Sequence, residues 1–103
     1  MNRTTLNTLK ASRDLLSDRK RWHKGFIVKD KQGCVVRADS IEAVCFCAVG
    51  AIYKVSSYDS KVDSYLEKSI STSLTEYNDA PTTTHADILT IFDRAILKLE
   101  TLK

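Results

Sequence analysis

From Ile41 to Val55 almost every residue is apolar: Ile41, Ala43, Val44, Cys45, Phe46, Cys47, Ala48, Val49, Ala51 and Ile52. A chain of 103 residues has room for one such element and must bury it on nearly every side. The run predicts a central helix opened by Asp39-Ser40, with Asp39 and Glu42 at capping-box spacing. Gly50 in the middle of that helix would cost about 1 kcal/mol against alanine, which a closely packed neighbour would explain.

The remaining patterns surround this element. Residues 4–18 predict a helix, with Leu6, Leu9 and Leu16 within about 80° of one another. Trp22 falls in the connector that follows, where its ring can anchor on the core with the indole N–H near water. Phe26-Ile27-Val28 and Cys34-Val35-Val36 flank Asp30-Lys31-Gln32-Gly33, which predicts a β-hairpin over 25–37. Ser56 to Asp59 reads as a turn, and residues 60–76 as a third helix with Val62, Tyr65, Leu66, Ile70 and Leu74 on one stripe. Its Ser-Thr-rich end forms helix weakly. Thr84 and Asp87 form a capping box before the last helix, whose apolar face is Ile88, Phe92, Ala95, Ile96, Leu99 and Leu102. The expected fold is therefore α+β and mostly α: a compact domain, residues 1–103, of four helices with one small antiparallel β-hairpin.

No apolar stretch reaches the roughly 18 to 20 residues of a membrane span, and the N-terminus lacks the apolar core of a secretion signal. Three cysteines, an odd number, fit thiols in a reducing compartment. A cytoplasmic protein without a membrane partner is expected. The net charge of +3 is uneven: residues 1–37 carry ten Lys and Arg against three Asp, whereas residues 38–103 carry six against ten acids. Arg19, Lys20, Arg21 and Lys24 form the densest basic patch. It reads either as a site for an anionic partner, nucleic acid included, or as cations complementing a helix C-terminus.

The candidate ligand site is the stretch from Asn78 to Asp87, with Trp22 as a neighbour. Asn78-Asp79 suits a tight turn, Pro81 stiffens the loop, and Thr82, Thr83 and Thr84 place hydroxyls beside a helix start that could hold an anion. Thr84, His85 and Asp87 complete the set; His85 is either a ligand contact or a ring that ties the loop to the body of the protein. An enzyme alternative pairs Cys47 as nucleophile with His85 as base, oriented by Asn78 or Asp79. Against it, Cys47 would lie about two turns inside the central helix, where core packing is the plainer role. Cys45 and Cys47 on one helix would point about 200° apart, and no C-x-x-C or H-x-x-x-H pair occurs, so no metal and no cofactor are expected.

Taken in order, Arg21-Trp22, Cys47-Ala48-Val49-Gly50-Ala51, Asn78-Asp79, Thr84-His85-Ala86-Asp87-Ile88-Leu89 and Phe92-Asp93-Arg94-Ala95-Ile96 resemble a group of small uncharacterised bacterial and phage proteins that share a domain of unknown function. The resemblance runs from about Leu9 to Ile96. It implies a bacterial or bacteriophage origin and a stand-alone domain, and it carries no activity with it. Cys45 and the Arg19-Lys20-Arg21 run are additions to that pattern. The expected function is non-covalent binding of an anionic ligand or another protein by an accessory protein, with interference in a host process a hypothesis for a phage origin. A structural subunit of a homo-oligomer is a further alternative.

Overall fold

The computed structural model describes residues 2–25, 28–38, 40–56, 60–68 and 70–101. Among the described residues the expected class holds: five α-helices and one two-stranded antiparallel sheet. They are α1 (Asn2–Leu16), β1 (Val28–Lys29), β2 (Cys45–Phe46), α2 (Ala48–Val55), α3 (Ser60–Glu67), α4 (Leu74–Asp79) and α5 (His85–Thr101), with a single 3-10 turn at Arg19–Arg21. Helix α1 packs against both α2 and α5, and α3 and α4 close the remaining sides. Leu9 and Leu16 of α1, Ile52 of α2, Leu66 of α3 and Phe92 of α5 are completely buried at the centre. The leucine stripe of α1 and the apolar face of α5 thus lie where their helical spacing puts them. Leu102 lies outside the described residues.

The central apolar run is not one helix. Its middle is strand β2, which pairs antiparallel with β1 in the register Val28↔Phe46 and Lys29↔Cys45. A turn precedes it, with Ala43 N–H on Ser40 C=O at 3.2 Å. Only at Ala48 does helix α2 begin, capped by Cys47. A short buried strand and a buried helix segment look alike in hydropathy, and the aromatic and β-branched Phe46 and Val44 tip this stretch toward strand. Ile41, expected inside, is 97% exposed. Gly50 is the third residue of α2, not its middle. The expected cap Asp39 lies outside the described residues; Glu42 N–H instead meets Ser40 Oγ at 3.1 Å.

The expected hairpin survives in its turn and in a short antiparallel pairing of its arms. Asp30 Oδ1 accepts from Gln32 N–H and Cys34 N–H, each at 2.9 Å, and Gly33 closes the turn at φ +86°, a conformation that favours glycine. Among the described residues the return segment meets β1 at the bridge Lys29↔Val35, with Asp30 N–H on Cys34 C=O at 2.9 Å and Val36 N–H on Val28 C=O at 3.2 Å, so β1 sits between this arm and β2. Phe26 and Ile27, the expected start of the first strand, lie outside the described residues, as do Ser57, Tyr58 and Asp59.

The expected helix over 60–76 divides in two. Ser73 caps α4: its Oγ accepts from Glu76 N–H at 3.2 Å and donates to Glu76 Oε1 at 3.1 Å. Thr72 Oγ1 adds a third bond at 2.8 Å. These bonds hold the exposed Glu76 carboxyl below the usual carboxylate range, Thr72 contributing most. A capping serine stops a helix from running through it. Glu67 Oε2 then accepts Leu74 N–H at 2.6 Å, so the end of α3 also holds the start of α4.

Candidate functional site

Asn78 is completely buried near the end of α4, not in a tight turn. Its Oδ1 accepts from the Trp22 indole Nε1–H at 2.7 Å and from Ala48 N–H at 3.0 Å. Its Nδ2 donates to His23 C=O at 3.1 Å and to Asp79 Oδ1 at 3.0 Å. Both partners of the oxygen are donors and both partners of the nitrogen are acceptors, so the amide has one orientation and all four of its bonds are made. One side chain thereby joins α4, the first turn of α2 and the segment between α1 and β1.

That segment is held at further points. His23 N–H donates to Phe46 C=O at 3.1 Å, and Gly25 N–H, at φ +96°, donates to Asp79 Oδ1 at 2.9 Å. The Lys24 ammonium donates to Ala80 C=O and stands 5.9 Å from the centre of the Trp22 ring. Half-buried Trp22 does anchor the connector, and its N–H goes to the buried amide of Asn78. His23 Nδ1 faces Lys24 C=O at 2.9 Å and so carries the proton, which leaves Nε2 buried without a partner among the described residues.

Trp22 and His85 do meet: their ring centres are 6.0 Å apart and tilted by 37°. His85 Nε2 lies 2.6 Å from Leu16 C=O, which fixes the proton on that nitrogen. The ring therefore ties the start of α5 to the end of α1. Thr84 and Asp87 form the reciprocal capping box: Thr84 N–H donates to Asp87 Oδ2 at 2.9 Å and Asp87 N–H to Thr84 Oγ1 at 3.2 Å. Asp87 lies two residues beyond His85, about 200° around the helix, so it faces away from Trp22. The expected single site is thus divided. Trp22, Asn78, Asp79, Lys24 and His85 come together, and Asp87 belongs to the opposite face of α5.

Cys47 is the N-cap of α2, not a residue two turns inside a helix. Its Sγ accepts from Gly50 N–H at 3.3 Å. A helix start normally lowers a thiol's pKa. Here burial wins and pushes it up, against the pull of the Gly50 and Val49 N–H groups, and Asp79 adds to the rise. No hydrogen bond joins Cys47 to His85, whose Nε2 is on Leu16. Cys45 is in a strand and donates to Lys20 C=O at 3.2 Å. No group of three or more His, Cys, Asp or Glu suited to a metal occurs among the described residues.

The basic run behaves differently from this interior network. Asp18 caps the 3-10 turn by accepting Lys20 N–H at 2.9 Å. Arg19, Lys20 and Arg21 are all exposed on that turn, and none makes an ion pair among the described residues. Lys24 is half-buried and its ammonium is used internally. Sequence reasoning missed Asn78 as a hub; its pairing with the single tryptophan, 56 residues away, leaves no local signal.

Fold and site together define a small, mostly helical domain whose irregular segment is stitched down by one buried asparagine. The chain belongs to the family of unknown function DUF6197, whose model matches residues 1–98. No curated protein and no solved structure matches it. Among the described residues no helix is long and apolar enough to cross a membrane.

Proposed function

We propose that this chain acts by non-covalent binding, and that Arg19, Lys20 and Arg21 take an anionic partner of the nucleic-acid phosphate class. The carrying observation is that three consecutive exposed cations sit on a turn anchored by the Asn78 network, with no acidic partner among the described residues. Because the backbone of the turn is already fixed, binding need not order it. The polar groups that a Cys-His enzyme would need are already engaged: His85 Nε2 on Leu16, Asn78 in four bonds, and the Cys47 thiol buried with its pKa raised. An origin as a bacterial or phage accessory protein belongs to the same proposal and rests on the resemblance of the ordered motifs.

Fluorescence anisotropy with labelled single- and double-stranded oligonucleotides tests it. Three phosphate contacts give a slope of log K against log salt of about −2 to −3. Replacing Arg19, Lys20 and Arg21 by alanine should bring the slope near zero. Binding that ignores salt, or that survives the triple replacement, refutes the reading. Exposed apolar side chains favour a second reading. Ile41 is 97% and Val35 60% exposed, which suits a protein partner or a second copy of the chain. Sedimentation of wild type and Ile41→Asp compares the two: a dimer lost in the variant favours a second copy.

A further inference from the structure

The break between α3 and α4 leaves a cleft of about 540 Å³ against the outer face of α5. Asp87, Thr90 and Arg94 line it from α5, and Lys68, Ser71 and Tyr77 from the other side, over an apolar wall of Ile70 and Ile91. This volume lies within the range of small-molecule sites.

Arg94 and Lys68 are exposed cations without an ion pair among the described residues; Lys68 Nζ rests 4.8 Å from the centre of the Tyr65 ring. The hydroxyls of Ser71 and Tyr77 make no hydrogen bond among the described residues, whereas Thr90 Oγ1 donates to Ala86 C=O at 2.8 Å. Asp87 lies two helical turns, about 10 Å, from Arg94 along α5. Its Oδ2 accepts from Thr84 N–H. The carboxylate keeps acceptor capacity beyond that bond. Along α5 the cleft thus runs from the guanidinium of Arg94 to the carboxylate of Asp87, with the Lys68 ammonium and the Ser71 and Tyr77 hydroxyls on its facing side and an apolar wall of Ile70 and Ile91.

We infer that this cleft binds a small phosphorylated molecule bearing hydroxyls, a nucleoside monophosphate or a sugar phosphate. The phosphate meets Arg94 and Lys68 with the Ser71 and Tyr77 hydroxyls. The sugar hydroxyls donate to Asp87, and the ring or carbon skeleton lies on Ile70 and Ile91. Arginine suits this role because its planar fork matches phosphate oxygens. The site shares no residue with the Arg19–Arg21 turn, so the two readings stand or fall separately.

The test is a ¹H–¹⁵N NMR titration of the full chain with AMP, ribose 5-phosphate, adenosine and inorganic phosphate. Saturable shifts at Lys68, Ser71, Tyr77 and Arg94 with AMP or ribose 5-phosphate are expected, and whichever binds more tightly identifies the source. Arg94→Ala should weaken that binding about tenfold or more, the loss of a charge-assisted bond. Lys68→Ala, on a different element, should weaken it as well and guards against an Arg94 variant that folds poorly. Replacing Arg19, Lys20 and Arg21 by alanine should leave it unchanged. No saturation at about 10 mM of either phosphorylated probe overturns the inference. So do equal binding of adenosine, equal binding of inorganic phosphate, or shifts confined to Arg19, Lys20 and Arg21.

Discussion

Replacing Asn78 by alanine removes four hydrogen bonds from the interior in one step. The Ala48 N–H is fully buried and loses its acceptor; the Trp22 indole N–H is half-buried and loses its own. His23 C=O loses a donor, whereas Asp79 keeps Gly25 N–H. A buried polar group left without a partner costs about 1–3 kcal/mol. Counting only the two stranded donors, and allowing water to reach the indole, the loss is about 3 kcal/mol. A domain of this size has about 5–15 kcal/mol in total, so the variant folds but melts at least about 12 °C lower. Urea denaturation followed by far-UV circular dichroism measures the loss. The fluorescence of Trp22, the single tryptophan, reports the same event locally and should shift to the red. Asn78→Asp keeps the oxygen acceptor but sets a carboxylate beside Asp79; its loss should be largest near neutral pH and ease in acid. If Asn78→Ala lies within about 1 kcal/mol of wild type, with unshifted fluorescence, the network does not hold the segment and the reasoning fails.

The raised thiol pKa of Cys47 means that the fold disfavours its thiolate. Its contribution to stability is present below the ordinary thiol range and lost as pH rises through the folded-state value. Urea midpoints at pH 7 and pH 10 should differ more for wild type than for Cys47→Ser. A thiol reagent at pH 7 should modify exposed Cys34 long before Cys47, and equal rates would mean that the helix start, not burial, sets this thiol. Arg13 meets Asp93 through two bonds, 2.8 and 3.2 Å, which staple α1 to α5 and raise the arginine's pKa. The pair is partly exposed, so a double-mutant cycle with Arg13→Ala and Asp93→Ala should give a coupling of about 0.5–1 kcal/mol. A coupling far above that would mean the ion pair is screened less than its exposure implies. Thr84→Ala should cost about 1 kcal/mol through the lost cap of α5. Ser73→Ala should raise the Glu76 pKa in an NMR titration, because a carboxylate held low by hydrogen bonds titrates higher once one is removed.

Elements with a complete local signature were legible in the sequence. Helix α5 has a capping box, an apolar face and no competing pattern, and from Ile88 to Leu99 it forms where those features put it. The Asp30–Gly33 turn was legible for the same reason, since its Asx bonds and positive φ depend on residues within four of one another. Strand β2 was not. Its pairing with Val28 and Lys29, about 17 residues away, decides against the helix that the run from Ile41 suggests. The division of α3 from α4 was written in the Ser73-Leu74-Thr75-Glu76 capping box, a signal of the same kind as Thr84-His85-Ala86-Asp87. The stripe of Val62, Leu66, Ile70 and Leu74 masked it.

The candidate site divides along the same line. Asn78, Asp79, Trp22 and His85 were singled out as unusual polar and aromatic chemistry in a small domain, and they do converge. They converge because a segment with little regular structure, from Ser17 to Gly25, must satisfy its backbone groups without a ladder. Asn78, Asp79 and Phe46 supply partners for Trp22, His23 and Gly25, so the same residue types that mark binding sites serve as internal ties. Distinguishing the two roles requires knowing which donors and acceptors remain unused, and that is a property of the assembled structure. By that criterion the network keeps only His23 Nε2 unused, and the rest of the free capacity among the described residues lies in Arg19, Lys20 and Arg21 on their anchored turn, and in Lys68, Ser71, Tyr77 and Arg94 around the cleft. Of the cleft four only Arg94 stood out in the sequence, paired there with Asp93, which the fold gives to Arg13 instead; Lys68, Ser71 and Tyr77 are ordinary helix or loop residues until α3 and α4 separate and face α5.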